Sequence, residues 1–515
     1  MSLWSFNELE FYENMEEINI PGDGNHIFRC YRDKDGTIVL RTIHRALLEN
    51  HKCKRVTIPD CINKIGPAAF SCFYELEEIK LPESIEYIWD GAFNNCESLK
   101  ELIIPSKVTE INDELCRNCY SLEKVTLPSG ITQIGSDAFQ CCKKLKEIKL
   151  SENIETIKSG CFCGTGIEKL VIPEHVIELE NSAFAFCDCL KEIYIHKAVN
   201  TIDKFAFIGC PNIEKIEVEE GNENYYCPND SNVIIDSNNI LVLGCNNTII
   251  PENVKVIGMS SFAYCSKIKK LSIPKNIEVI ERYAFENCYN LKELYIPKEL
   301  NVISSFAFSG CSRLSKIVVD KENPRYDSRD NCNGIIESNS NTLVLGCKNT
   351  EFVDSINRIG EGAFSSNQSI GEVEIPSNIK VIDSSAFSEC MNLSNIIFSE
   401  GLTEIGENAF WKCVRLKHIK FPNTLKIIRE DIFRECENLE SIILPKNIEI
   451  FEFNSLSLDY IYTDEYKEHE CFIYYYGDKS DYDAVSENLW NGRGCYYKDE
   501  WKFDQEGHPV PIIEK

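Results

Sequence analysis

The chain has 515 residues, of which 43% are hydrophobic and 26% charged, and its formal net charge is -28. This composition is typical of a globular protein with ample material for a core, and it excludes a wholly disordered chain. The acidic balance repels phosphate backbones and anionic lipid, so nucleic acid is not expected as a partner.

The first residues, MSLWSFNELEFYENMEE, lack the basic head and apolar run of a secretory signal. No stretch reaches about 18 consecutive apolar residues, so no membrane span is predicted. We therefore expect a cytoplasmic protein, with export to the cell surface by an unconventional route as the alternative. The 26 cysteines are then expected to be reduced thiols.

Seven segments are predicted along the chain. Residues 1–52 form an N-terminal cap, because IFRCYRDKDGTIVLRTI (27–43) alternates about Asp35-Gly36, a hairpin signal. The others are repeats at 53–218, an insertion at 219–250, repeats at 251–319, an insertion at 320–353, repeats at 354–450 and a β-rich C-terminal cap at 451–515.

Within the repeats, a phenylalanine slot recurs at a period of 23 residues in most units. The slot holds Phe70, Phe93, Cys116, Phe139, Phe162, Phe184, Phe207, Phe262, Phe285, Phe308, Phe364, Phe387, Phe410 and Phe433. Each unit begins Leu-x-x-Ile-x-Ile-Pro, whose alternation predicts a strand of about three residues ended by proline. The Ala-Phe-x-x-Cys that follows predicts one or two helical turns.

A unit of this size cannot bury its apolar face alone, so the units are expected to stack, strand beside strand at about 4.8 Å. The predicted fold class is an α/β repeat solenoid with a parallel sheet. The insertions, 221–248 and 322–350, share a tyrosine, an aliphatic pair, LVLGC and Asn-Thr, and each predicts two strands about an Asn/Ser-rich turn.

Cysteine stands three residues after the phenylalanine slot in eleven units. We interpret this column as core packing, since a thiol is small, apolar and often buried. A disulfide ladder is the alternative, because coils about 4.8 Å apart meet the usual separation for a bridge. Cys116, Cys119, Cys141 and Cys142 superficially resemble a zinc set, but they fall in different slots. No metal or cofactor is expected.

The residue between the last two aliphatics of each strand is predicted to face outward, onto the exposed sheet face. Half of these residues are apolar or aromatic. The predicted partner-binding residues are Ile103, Val171, Tyr194, Tyr295, Val318, Ile397 and Ile443. Strong β-propensity at a strand position explains the same residues without a partner. The insertions are a second candidate surface.

The repeated motif, as in AFENCYNLKELYIP (284–297), resembles the BspA-type leucine-rich repeats over about residues 25–500. The resemblance implies a leucine-rich repeat superhelix with its parallel sheet on the concave face. It also implies binding to protein, commonly host matrix or another cell.

We therefore predict a non-enzymatic protein–protein interaction scaffold that binds a protein partner on the sheet face, with no small-molecule substrate. The first alternative is a cell-surface adhesin or host-interaction protein. It could carry glycans at the sequons of Asn229, Asn246, Asn367 and Asn392. The second alternative is an enzyme with a site under a cap or insertion, although the sequence has no GxxxxGK[ST], His-Glu-x-x-His or Gly-x-Ser-x-Gly motif.

Overall fold

A computed structural model describes residues 53–228, 231–452, 471–479, 495–504 and 507–512, together with three N-terminal strands. The chain divides into two compact units, Met1–Val254 and Lys255–Lys515. In both units, the strands of successive coils are only a few residues in length and pair in parallel.

Most coils carry one strand of three or four residues, here called a long strand, and one of two residues, called a short strand. The long strands of the first unit are Glu17–Asn19, Arg55–Thr57, Glu78–Lys80, Glu101–Ile103, Lys124–Thr126, Lys169–Val171, Glu192–Ile195 and Lys215–Val218. Its short strands are Lys64–Ile65, Tyr87–Ile88, Glu110–Ile111, Gln133–Ile134, Thr156–Ile157, Glu178–Leu179 and Thr201–Ile202.

The second unit repeats this pattern. Its long strands are Lys270–Ser272, Glu293–Ile296, Lys316–Val319, Glu372–Ile375, Asn395–Phe398, His418–Lys420 and Ser441–Leu444, joined by Phe472–Tyr475 and the two-residue Cys495–Tyr496. Its short strands are Val256–Ile257, Val279–Ile280, Val302–Ile303, Arg358–Ile359, Val381–Ile382, Glu404–Ile405, Ile427–Ile428 and Ile450–Phe451.

Two antiparallel pairs complete the strands outside the insertions: Phe28–Arg32 with Ile38–Thr42, and Trp501–Phe503 with Pro509–Pro511.

The pairing register follows the sequence repeat. Glu101–Ile103 pairs residue by residue with Lys124–Thr126, each residue opposite the one 23 positions later. The middle residue, Leu102, is buried and its two neighbours are exposed. After Ile104 donates its N–H to the next coil, Pro105 has no N–H to offer and the pairing ends.

The predicted helical turns are wrong: the Ala-Phe-x-x-Cys segments form tight turns. Residues two before and two after the phenylalanine slot have left-handed backbones, as in Gly91 (φ 58°) and Asn95 (φ 60°). The N–H groups of Gly91, Phe93 and Asn95 donate to carbonyls of the next coil at 2.8, 2.9 and 2.8 Å. An α-helix would direct each N–H to its own chain four residues back, so the two arrangements are incompatible. Apart from Lys479, which is helical at the edge of a described range, the described residues contain one helical element, the 3-10 turn Arg329–Asn331.

The core of each unit contains stacked phenylalanine rings. The centroids of Phe139 and Phe162 are 5.7 Å apart and their planes differ by 8°. Those of Phe285 and Phe308 are 5.2 Å apart at 5°. The rings are parallel because identical side chains in equivalent coils adopt the same orientation. Parallel aromatic rings prefer an offset stack to a direct face-to-face one.

The cysteine column does more than fill space. The Cys96, Cys288 and Cys413 thiols donate to the phenylalanine-slot carbonyl of the preceding coil, at 3.1, 3.3 and 3.2 Å. All eleven column cysteines are buried, and no disulfide joins the described cysteines. Burial raises the pKa of the Cys311 thiol to about 12. Within the described ranges, no group of three or more His, Cys, Asp and Glu side chains is placed to hold a metal.

Each insertion has three antiparallel strands rather than the predicted two. They are Tyr225–Tyr226, Val233–Asp236 and Ile240–Gly244 in the first, and Tyr326–Asp327, Ile335–Glu337 and Thr342–Leu345 in the second. The Tyr326 hydroxyl accepts the N–H of Ile303 at 3.0 Å, and the Asn333 side-chain oxygen accepts that of Ile317 at 2.9 Å. The insertion therefore satisfies strand edges of the preceding coils.

Candidate binding surface

In each unit, the outward positions of the long strands form what we call the long-strand face. Ile103, Val171, Val318 and Ile397 lie there with 56, 54, 40 and 52% of their surface exposed. Tyr194 and Tyr295 lie there half-buried. Because strand side chains alternate between two faces, the buried neighbours of these residues point into the core.

The first patch of the long-strand face is centred on Tyr194, in the first unit. Tyr194 stands between Val171 and Glu217 in the register of three paired strands. A row of charged residues, Lys169, Glu192 and Lys215, lies two residues earlier on the same three strands. Lys169 and Glu192 form an ion pair at 2.8 Å. These side chains line a hollow of about 290 Å³. Desolvation raises the pKa of Tyr194.

The second patch is centred on Tyr295, in the second unit, and has the same construction. Tyr295 stands between Ser272 and Val318, beside a Lys270–Glu293–Lys316 row whose first two members pair at 3.0 Å. The Tyr295 hydroxyl donates to Asp320 Oδ2 at 2.8 Å. This hydrogen bond raises the pKa of Tyr295 and holds its ring in one orientation.

Ile443 is not exposed, and its inclusion in the predicted surface is wrong on this point. It is 4% exposed and forms a small cluster with Tyr474 and Tyr496, which pair alongside it. Trp501 packs on Tyr474 at 5.5 Å between ring centroids. The C-terminal aromatic residues thus cover the long-strand face at this coil.

The structure brings two pairs of predicted residues together, Val171 with Tyr194 and Tyr295 with Val318. Ile103 is paired with Thr126, and Ile397 with Glu374, so neither extends an apolar patch with another predicted residue.

One feature of the long-strand face escaped the sequence patterns. Residues 147–149 occupy the strand position of the repeat pattern, which places Lys149 outward, but they form no strand. A crevice of about 800 Å³ opens between residues 143–150 and 166–171. The signal was present in the spacing of the phenylalanine slot, which is 22 residues between Phe162 and Phe184 instead of 23. A missing residue there shifts the strand that follows relative to the coil before it.

A second hollow, of about 660 Å³, lies on the turn side of the second unit. Exposed Tyr289 and Met391 border it, and the small polar side chains of Ser312 and Ser366 line it. Nearby, burial and the charge of Glu389 raise the pKa of half-buried Glu286 to about 7.

Glu286→Gln is expected to stabilise the protein above neutral pH by roughly 2 kcal/mol. The folded state binds this proton more tightly than the unfolded state, so the wild-type free energy of unfolding falls as pH rises from about 4.5 to about 7. Urea denaturation at pH 4 and pH 8 checks this: the two proteins should differ at pH 8 and converge at pH 4. Exposed Glu437→Gln is the control, and an equal gain at both pH values would contradict the assignment.

The sequons proposed for a surface protein are poorly placed for glycans. The side-chain amide nitrogens of Asn246 and Asn392 donate to main-chain carbonyls at 2.6 and 2.8 Å, and Asn367 is 5% exposed. Asn229 lies outside the described residues. Within the described part of the chain, no helix has the length and apolar character needed to cross a membrane.

The geometry defines the class of protein: a repeat solenoid of stacked parallel strands, whose exposed strand face is bordered by polar side chains. The family profile described as "BspA type Leucine rich repeat region (6 copies)" matches residues 37–122, 109–227, 241–330 and 335–460. The chain therefore belongs to the BspA-type leucine-rich repeat family, as its repeated motif predicts. This family is associated with protein-interaction and surface roles.

Solved structures of bacterial leucine-rich repeat proteins are similar to this chain. One from Bacteroides ovatus is 24% identical, covers 78% of this chain and 98% of its own, and has a TM-score of 0.39. One from Eubacterium ventriosum is 20% identical, with 87% and 97% coverage and a TM-score of 0.44. A leucine rich cell surface protein from Faecalibacterium prausnitzii is 21% identical, with 90% and 97% coverage and a TM-score of 0.36. At these values the similarity carries no argument about function. Comparison with curated proteins gives no match.

Proposed function

We propose that this chain is a non-enzymatic interaction protein that binds a protein partner on the long-strand face, with Tyr194 and Tyr295 as the central contacts. The observation that carries the proposal is the repeated construction of the two patches. Each has a tyrosine, an exposed valine in the adjacent coil and a Lys–Glu–Lys row. Protein interfaces use tyrosine in this way, surrounded by a polar rim.

The charges on this face support binding rather than catalysis. Lys169 with Glu192 and Lys270 with Glu293 pair across coils at 2.8 and 3.0 Å, so opposite charges neutralise one another in rows. General acid–base chemistry needs titratable groups that converge on one reacting atom, whereas a row of mutual ion pairs provides a solvated rim. Val171 and Val318 complete the central contacts, and Ile103 and Ile397 are assigned to their periphery.

Replacing both tyrosines, Tyr194→Glu with Tyr295→Glu, is expected to abolish partner capture without unfolding the protein. The matched control is Tyr120→Glu with Tyr289→Glu, since those tyrosines are 37 and 45% exposed but lie in turns away from the face. Proteins recovered by each variant are quantified by mass spectrometry, and the melting temperature is recorded for each.

A partner lost by the first variant alone is then purified, and its affinity is expected to fall at least about thirtyfold, the effect of losing one hot spot. Unchanged capture by a folded first variant would refute the assignment of the face.

A further inference from the structure

We propose that the crevice between residues 143–150 and 166–171 accepts an extended strand of a partner protein, with an apolar side chain inserted between coils and acidic side chains flanking it. The inference rests on the proposed protein-binding function and adds a binding mode and a partner chemistry. It concerns the first unit alone.

The backbone around the crevice is left open. Among the described strands, Lys124–Thr126 pairs only with Glu101–Ile103, and Lys169–Val171 pairs only with Glu192–Ile195. Across the described residues, no backbone hydrogen bond joins 147–150 to either neighbouring coil. In an intact coil the equivalent bond is present, as from Ile172 N–H to the Tyr194 carbonyl at 3.1 Å. Unpaired strand edges of this kind are templates for strand addition.

The gap follows from the shortened unit. Gly166 approaches the preceding coil so closely that a Cβ atom there would lie 2.3 Å from the Lys143 carbonyl oxygen. Its N–H donates to the Cys142 carbonyl at 3.4 Å, and Glu168 N–H to the Lys146 carbonyl at 3.3 Å. Beyond this contact the backbones of 147–150 and 169–171 are not hydrogen-bonded to each other. The cause is the repeat unit between Phe162 and Phe184, which is one residue shorter than its neighbours.

The floor of the crevice is apolar. Phe162, Ile167, Leu170 and Phe184, all core residues, line it. A volume of about 800 Å³ exceeds what one side chain fills. An apolar side chain buried there is removed from water, which favours binding.

The mouth is locally basic in a chain of net charge -28. Four lysines and three glutamates line the crevice, and Glu123 and Glu168 are already paired with Lys144 and Lys146 at 3.6 and 3.2 Å. Exposed Lys143 and Lys149 have no carboxylate within ion-pair distance among the described residues. Carboxylates flanking the inserted residue would therefore find cationic partners.

The chain itself supplies a suitable probe. Residues 370–376 (IGEVEIP) contain the acidic strand Glu372–Ile375, with alternating carboxylates and aliphatic side chains. The full-length protein is titrated with this peptide, acetylated and fluorescent, and binding is followed by anisotropy. A peptide with Glu374→Pro, which lacks a central N–H, is the matched control ligand and is expected not to bind.

Saturable binding is expected. It should be weakened at least about tenfold by Lys143→Glu with Lys149→Glu, the two lysines without a carboxylate partner, and unchanged by Lys275→Glu with Lys298→Glu. Hydrogen exchange supplies the location. In the free protein, amides of 147–150 should exchange faster than those of Glu192–Ile195, and peptide binding should slow the former.

Three results would overturn the proposal. The first is slow exchange at 147–150 in the free protein, and the second is binding unaffected by the Lys143 and Lys149 changes. The third is no saturable binding up to about 1 mM, since a Kd of that value corresponds to about 4 kcal/mol. If the peptide does not bind while partner capture still requires Tyr194 and Tyr295, the crevice assignment is wrong and the proposed function is kept. If the peptide binds but partner capture does not depend on either tyrosine, the assignment of the long-strand patches is wrong and the assignment of the crevice is kept.

Discussion

Phe387→Ala is expected to lower the free energy of unfolding by about 3–5 kcal/mol. The Phe387 side chain is fully buried, and its ring stacks on Phe364 at 4.9 Å and on Phe410 at 5.6 Å. Truncation removes the transfer energy of the ring and leaves a cavity between coils whose backbones are hydrogen-bonded to each other and cannot close it. Urea denaturation followed by circular dichroism measures the effect.

Met391→Ala is the control in the same coil. Met391 is 36% exposed, so its truncation is expected to change stability by no more than about 0.5 kcal/mol. Equal effects of the two substitutions would mean that the phenylalanine stack contributes nothing beyond surface contacts.

Asn323→Ala is expected to cost about 3 kcal/mol, because one buried amide satisfies four backbone groups. Its Nδ2 donates to the carbonyls of Pro297 and Leu300 at 2.7 and 3.0 Å. Its Oδ1 accepts the N–H groups of Arg325 and Tyr326 at 2.9 and 2.8 Å. Alanine leaves all four groups without this partner at the junction between a coil and the second insertion.

Denaturation of three variants checks the account of Asn323. Asn323→Asp keeps the acceptor and should recover part of the loss, whereas exposed Asn349→Ala should be near neutral. Asn222 makes the same four contacts in the first insertion, so Asn222→Ala should show a loss of the same sign. A neutral Asn323→Ala would contradict the role of this amide in joining insertion to coil.

The cysteine column shows how one residue type can satisfy two requirements. A small apolar side chain is needed between coils, and the phenylalanine-slot carbonyl has a second lone pair to fill. The Cys413 thiol meets both, since it is buried and donates to Phe387 O at 3.2 Å. The expectation of a reduced, cytoplasmic protein stays a prediction.

The sequence by itself determined the stack of parallel strands and which side chains point outward. Both follow from local rules: a strand alternates its side chains, and a repeat too small to bury its own core must stack. Tyr194 and Tyr295 could therefore be placed on the exposed face by reading the repeat alone.

Only the tertiary structure decided the rest, because each remaining feature depends on a neighbour distant in sequence. The turn around Phe93 is not helical because its N–H groups bond to the next coil. Ile443 is covered by Tyr474 and Tyr496, which are more than one repeat period away. The crevice at 147–149 arises from a mismatch between two coils, although each of them has a strand-like sequence.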